Sequence, residues 1–354
     1  MKAISVDKLQ PGMELARTVV NDDMVVILSE NTLLTKAHIT RLGFLNIPSV
    51  YIKDEYELSP NYQSVMALFN RGNAFASEYN EVLRKVNSII EATTKNGKIP
   101  VDKSKNLVHS SLAPMSKQSG VIDYLYELNH MADDLYNHSM RVAILTGVIG
   151  KWLYKKPSEI NDLILAGFLH DIGKTKFPDR LQSRRVETLK GEDFERYMQH
   201  TIDGSHLINE DPKLADGIKL AALQHHEYMD GSGFPFGIKG EEIHEYARII
   251  AIADLYDNIT TEREGFVRQT PFDAIAKITE DMYSKLDPTI SVTILKRIKD
   301  AFLGSKVMLS NGLEGTIVNY PNDFAQHPLV RIDQENVVDL NQHKDIKIIE
   351  YNQK

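Results

Sequence analysis

Apolar positions recur at helical spacing from Val121 to about Phe302, in runs interrupted at Lys156-Pro157, Thr270-Pro271 and Asp287-Pro288. Proline disfavours helical geometry in the residue before it, so each dipeptide punctuates one helix from the next. A helical bundle is predicted. Residues 1 to about 55 instead alternate short β-like runs, Met24 to Leu28 and Val50 to Ile52, with a Pro11-Gly12 turn and a helix around Lys36 to Leu42. That pattern reads as a small α+β module. From Asn61 to about Asn87 the spacing of Val65, Leu68, Phe69, Phe75, Tyr79 and Val82 fits a linking helix. Thr93 to Gly97 and Asn106 to Ser119 are less regular, which places a boundary near residue 110. After Gly304 the pattern changes to Val307-Met308-Leu309, an Asn311-Gly312 hairpin turn, Gly315 to Tyr320 and Val330 to Ile332, a β-rich cap. The expected fold is therefore mainly α, with domains at 1–110, 111–303 and 304–354.

Composition narrows the chemistry. The chain has no cysteine, which excludes disulfides, thiolate nucleophiles and cysteine-ligated zinc and leaves His and carboxylates as the strong metal ligands. A net charge of -8 argues against duplex nucleic-acid binding, which needs many Lys and Arg contacts to phosphate. No apolar run approaches the length of a membrane span, and the opening MKAISVDKLQPG lacks a signal-peptide core, so a cytoplasmic protein is expected.

Eight of the twelve histidines fall in the helical segment: His130, His138, His170, His200, His206, His225, His226 and His244. Asp134 and His138, four apart, can project from one helix face toward a shared ion, although Asp134 also suits a helix N-terminus. His170-Asp171 follows the apolar run Leu163 to Leu169 and precedes Ile172-Gly173-Lys174. The pair subtends about 100° on a helix, so the Asp can bridge two ions while the His binds one. A glycine cap with a nearby lysine would explain Gly173 and Lys174, but not a carboxylate at the negative end of the helix dipole. His225-His226 opens HHEYMDGSGFPFG, where a helix yields to a loop with three glycines. Asp254 lies in the apolar RIIAIADLYDNIT, where burial without a partner would cost several kcal/mol. Asp257, one turn on, suits a hydrogen-bond acceptor or a cap as well as a ligand.

These residues resemble the HD-GYP branch of the HD-domain metal-dependent phosphohydrolases, over roughly residues 121–270. His170-Asp171 looks like the HD signature, and His225-His226-Glu227 through Asp230-Gly231-Ser232-Gly233-Phe234-Pro235 looks like the signature that names the branch. The resemblance implies a helical HD-domain bundle with metal ligands His138, His170, Asp171, His200, His225, His226 and Asp254, Asp171 bridging the ions. Asp134, where some members have a ligating Glu, leaves two or three divalent ions, iron or manganese, open. Three departures stand out. Phe234 replaces the name-giving Tyr, Thr201 replaces a common Pro, and Glu262-Arg263-Glu264-Gly265-Phe266 replaces a substrate-holding Asp-Arg-Pro-Tyr segment. Leu9-Gln10-Pro11-Gly12-Met13 is similar to a module that often precedes this domain, for which a regulatory or homodimerising role is expected.

The expected reaction is hydrolysis of cyclic di-GMP to linear pGpG, and further to GMP, by a hydroxide bridging the ions. Asp171 and Lys174 carry catalysis in this reading. Lys174, Arg263, Arg141, Arg268 and Phe234 line the substrate site. Two alternatives remain beside it: a catalytically weak cyclic-dinucleotide sensor, and an HD hydrolase of another cyclic dinucleotide.

Overall fold

The computed structural model describes residues 2–10, 13–20, 26–28, 32, 34–45, 47–53, 60–128, 135–177, 189–262 and 266–352. The chain forms two compact units, Met1–Glu78 and Tyr79–Lys354. The first contains β1 (Lys2–Ser5), β2 (Val19–Val20), β3 (Val26–Leu28), α1 (Lys36–Phe44) and β4 (Ser49–Ile52). β1 pairs antiparallel with β4, from Lys2 opposite Ile52 to Ser5 opposite Ser49, and β2 pairs with β3. Alternation along β4 buries Val50 and Ile52 with Leu9, Leu15, Leu34 and Leu42. Thr35 starts α1 by accepting the His38 N–H at 3.1 Å. The small α+β module expected from the sequence is present.

Helix α2 (Pro60–Asn96) crosses the division between the units. It outruns its predicted end, because the Thr93 and Thr94 hydroxyls donate to the Ile89 and Ile90 carbonyls, both at 2.9 Å, and so spend their polar groups on the helix. The stretch expected to be less regular is also helical: α3 (Val101–Leu107) passes through a π-turn at 108–112 into α4 (Ala113–Ser116). Leu107, Val108, Leu112 and Met115 bury one face of it, so packing overrides the weak local pattern.

The bundle continues with α5 (Val121–Leu128), α6 (Leu135–Trp152), α7 (Pro157–Leu169), α8 (Glu192–Asn209), α9 (Asp216–Gln224), α10 (Glu245–Thr260), α11 (Pro271–Asp281) and α12 (Pro288–Phe302). The three punctuating prolines each occupy a first helical position, where a missing N–H costs nothing. Helix α6 is buried almost all round and packs against α7, α10 and α12, which makes it the central helix. Helix α9 lies against α7, α8 and α10. The ends of α7 and α9 are thereby brought beside the middles of α6, α8 and α10.

Five antiparallel strands close the chain: β5 (Lys306–Leu309), β6 (Glu314–Asn319), β7 (Leu329–Arg331), β8 (Val337–Asp339) and β9 (Ile348–Asn352), in the order β8-β7-β6-β5-β9. The predicted Asn311-Gly312 turn joins β5 to β6, with Gly312 at φ +85°, a value that glycine adopts without strain. Tyr351 on β9 packs against Phe272 and Phe302 at centroid distances of 5.7 and 5.3 Å and donates its hydroxyl to Asp123 at 3.2 Å. These contacts seat the sheet on the bundle. Among the described residues no helix is long and apolar enough to cross a membrane.

Candidate metal centre

Asp171 is the centre around which the other groups are arranged. It follows His170, the C-cap of α7, and its carboxylate is buried. Oδ1 lies 3.1 Å from Nε2 of His200 and 3.5 Å from Nε2 of His225. Oδ2 lies 3.4 Å from Nε2 of His138 and 3.5 Å from Nε2 of His170. One carboxylate thus faces two separate imidazole pairs, one per oxygen. Two groups of ligand atoms close enough to hold an ion share Asp171: one with His200, His225 and His226, the other with His138 and His170. Asp254 on α10 adjoins the second group, its Oδ1 3.1 Å from His138 Nε2.

The proton inventory fits cations at both places. His170 donates Nδ1–H to the Gly167 carbonyl at 2.7 Å, His225 to Ala222 at 3.0 Å, and His200 to Tyr197. A carbonyl can only accept, so each ring keeps its Nε2 lone pair. The lone pairs of His200 and His225 meet at 3.3 Å, an arrangement that only a shared cation makes favourable. Among the described residues Asp171 Oδ1 has no hydrogen-bond donor although it is buried. Burial pushes His170 down to about 3 and His200 down to about 4, which keeps both neutral near pH 7. Burial also acts on His138, but hydrogen bonds to Asp171, Asp254 and Asp257 outweigh it and hold this imidazole well above its ordinary value. An ion at that position must displace the His138 proton. Affinity there is expected to rise about tenfold per pH unit below the raised His138 value, and calorimetry in buffers of different ionisation enthalpy should show one proton released per ion.

Residues 125–290 match the family model described as HD domain. This segment is an HD domain. Relatives bear out the resemblance read from the two motifs. The chain is 26% identical over 229 residues to cyclic di-GMP phosphodiesterase PA4108 of Pseudomonas aeruginosa, covering 65% of this chain and 55% of that protein. It is 32% identical over 184 residues to a cyclic di-GMP phosphodiesterase of Thermotoga maritima, covering 51% and 49%. A 3'3'-cGAMP-specific phosphodiesterase 3 of Vibrio cholerae is 30% identical over 164 residues, covering 46% and 35%. The chain spans about half the length of the first two of these curated relatives. Among solved structures, the HDG"Y"P protein Bd1817 of Bdellovibrio bacteriovorus superposes with a TM-score of 0.53 at 16% identity, over 84% of this chain and 99% of that one, and so shares the fold.

Within the HD domain the predicted residues fall into distinct places. His138, His170, Asp171, His200, His225, His226 and Asp254 converge as described. Lys174 lies in a short 3₁₀ turn (Ile172–Lys176), its ammonium 2.5 Å from Asp171 Oδ2. Phe234 stacks on His226, with centroids 4.6 Å apart and planes 31° apart. Asp134 and Arg263 lie outside the described residues. Arg141 is a correction: rather than facing substrate phosphate it is 1% exposed, and its Nε donates to Asp257 Oδ1 at 2.6 Å and an Nη to Oδ2 at 3.1 Å. A guanidinium engaged on both carboxylate oxygens inside the bundle has no face left for a ligand. Arg268 likewise turns to Tyr126, donating to its carbonyl at 2.6 Å and lying 4.2 Å from its ring centroid.

Two residues gain a role that spacing alone left open. Asp257 accepts the His138 Nδ1–H at 2.8 Å while Arg141 holds it from behind, so it orients His138. Tyr197, one turn before His200 on α8, was not singled out; its i, i+3 relation to a His on the same face was the available signal. Its ring lies 4.8 Å from that of His200, and the Lys174 ammonium sits 4.9 Å from its centroid.

Gly173 works by close approach. A Cβ built there would lie 2.0 Å from the His200 carbonyl and 2.6 Å from the Gly204 nitrogen, both backbone atoms of α8. The absence of a side chain lets the turn after Asp171 rest directly on α8, which sets the reach between Asp171 and His200. Gly173→Ala is expected to cost about 3 kcal/mol and to weaken metal retention, checked by thermal denaturation with and without added manganese.

Proposed function

We propose that this chain is a metal-dependent phosphodiesterase that hydrolyses a cyclic dinucleotide, with cyclic di-GMP as substrate and pGpG, then GMP, as products. The observation that carries this reading is the single buried carboxylate of Asp171, shared oxygen by oxygen between two imidazole pairs. The named activities of the relatives, on cyclic di-GMP and 3'3'-cGAMP, support the substrate class.

His138, His170, Asp171 and Asp254 would hold one ion, and Asp171, His200, His225 and His226 the other. A shell of imidazole and carboxylate suits iron or manganese. Divalent ions held there would supply Lewis acidity, bringing the pKa of bound water down to about 7 and offsetting charge on phosphoryl oxygens. The protein's own part is positional. Asp257 and three main-chain carbonyls fix the imidazole orientations. Burial opposes charge on Lys174, but Asp171 beside it holds its ammonium well above the ordinary value, so it stays a cation beside the reacting phosphoryl group. Phe234, Tyr197 and Phe177 form an aromatic wall next to the imidazoles.

A weakly catalytic sensor is the second reading, favoured by Phe234, which lacks a hydroxyl, and by the engagement of Arg141 with Asp257. One experiment separates them. The protein is purified anaerobically, its metals are quantified, and cyclic di-GMP and 3'3'-cGAMP are followed by chromatography. Linear product from cyclic di-GMP is expected. Saturable binding at full iron or manganese loading with no product would overturn the enzyme reading, and product from 3'3'-cGAMP alone would overturn the substrate.

A further inference from the structure

His226 differs from the other imidazoles of the site. His170, His200 and His225 each give Nδ1–H to a main-chain carbonyl, and His138 gives it to Asp257. In those four rings Nε2 lies 3.1 to 3.5 Å from an oxygen of Asp171. His226 makes neither contact among the described residues. Its polar partner there is the Tyr197 hydroxyl, 3.4 Å from Nε2. His226 is half-buried; a neutral imidazole carries one N–H, which a protein acceptor within reach can take, and the ring nitrogen that is not protonated is the one free to bind a cation.

The surroundings fix this ring from both ends. Phe234 covers its face, and the Phe234 N–H donates to the His226 carbonyl at 3.1 Å, folding the glycine loop back on the His226 backbone. Gly233 allows that fold, since a Cβ there would lie 2.4 Å from the same carbonyl. The main-chain end of the residue is therefore pinned by its own loop, and the far end of the ring is met by α8.

We propose that Tyr197 is the positioning residue for His226: its oxygen accepts the Nε2–H, so His226 binds its ion through Nδ1, the reverse of the other four imidazoles. This rests on His226 being a metal ligand. Nδ1 ligation brings the ion closer to the backbone than Nε2 ligation does, and an arrangement of that kind needs the pinned main chain found here.

The test uses the full chain with histidine labelled by nitrogen-15 and zinc as a diamagnetic probe, with no nucleotide present. Long-range proton–nitrogen correlation should show His226 with a protonated Nε2 and a bound Nδ1. Tyr197→Phe, which keeps the ring and loses only the hydroxyl, should hold one of two zinc ions about tenfold more weakly and the other unchanged. A bound Nε2 at His226, no bound nitrogen there, or unchanged affinity for both ions in Tyr197→Phe would overturn the assignment. The wild-type spectrum decides the ligating atom even if the variant fails to fold. Because no substrate is involved, these outcomes are independent of whether the protein hydrolyses a cyclic dinucleotide.

Discussion

Asp171→Asn is expected to yield a protein that retains neither ion and hydrolyses its substrate at least about a thousandfold more slowly. The substitution keeps size and shape but removes the charge and turns one of the two oxygens into an amide. Both oxygens matter, because each faces its own imidazole pair. Loss of a terminal ligand such as His225 leaves one group intact, whereas loss of Asp171 removes the element common to both. The variant also strands the Lys174 ammonium, which Asp171 holds at 2.5 Å. Asp171→Asn combined with Lys174→Met should therefore recover the thermal stability lost in the single variant without recovering metal. Elemental analysis, circular dichroism and product chromatography on both proteins check the expectation. Two ions per chain with near-normal turnover in Asp171→Asn would remove the basis of the shared-carboxylate reading.

The second large effect is on stability. Arg141→Met is expected to cost about 3–5 kcal/mol, because it leaves the Asp257 carboxylate buried with its guanidinium partner gone. For a unit of this size that corresponds to roughly 10 °C in Tm. In the native protein burial works against the Asp257 charge, but Arg141, with His138, holds its carboxyl well below the usual range. The stability it contributes is complete above the unfolded carboxylate value of about 4 and is lost only as pH falls through the depressed folded value. Without Arg141 burial dominates and raises the carboxyl, so the sign reverses: the penalty grows as pH rises from about 4 toward 7. Denaturant titrations across that range should diverge between the two proteins in that direction. Arg141→Met with Asp257→Leu should regain most of the stability and still bind metal weakly, since His138 has lost its orienting acceptor.

Local rules made most of the bundle readable. Proline at a first helical position and the apolar period along α6 and α7 act within a few residues, and the structure begins its helices where they indicate. His170-Asp171 and His225-His226 were legible for a similar reason, since adjacent ligating residues at the ends of apolar helices are unusual in themselves. Arg141 was not. Its partner lies 116 residues away, and a positive charge on an apolar helix reads equally as a phosphate ligand or as half of a buried pair. Tyr197 was hidden differently, because an aromatic residue on the inner face of a helix carries no mark that separates a hydrogen-bonding phenol from core. The helical stretch after Asn96 was missed because its stability comes from the buried face of Leu107, Leu112 and Met115 rather than from its own pattern.

Helices α7 and α9 both stop at the ion-binding groups, with His170 and His225 as their C-caps. Each helix directs the carbonyl end of its dipole there, equivalent to about half a negative charge, beside the carboxylates of Asp171 and Asp254. Stripped of cations, that place is hostile to any phosphodiester. Filling should then be sequential, metal before nucleotide, with the ions acting as an admission ticket as well as the source of reactivity. A chelator is expected to abolish nucleotide binding itself, and equilibrium dialysis on the ion-free protein would register that directly.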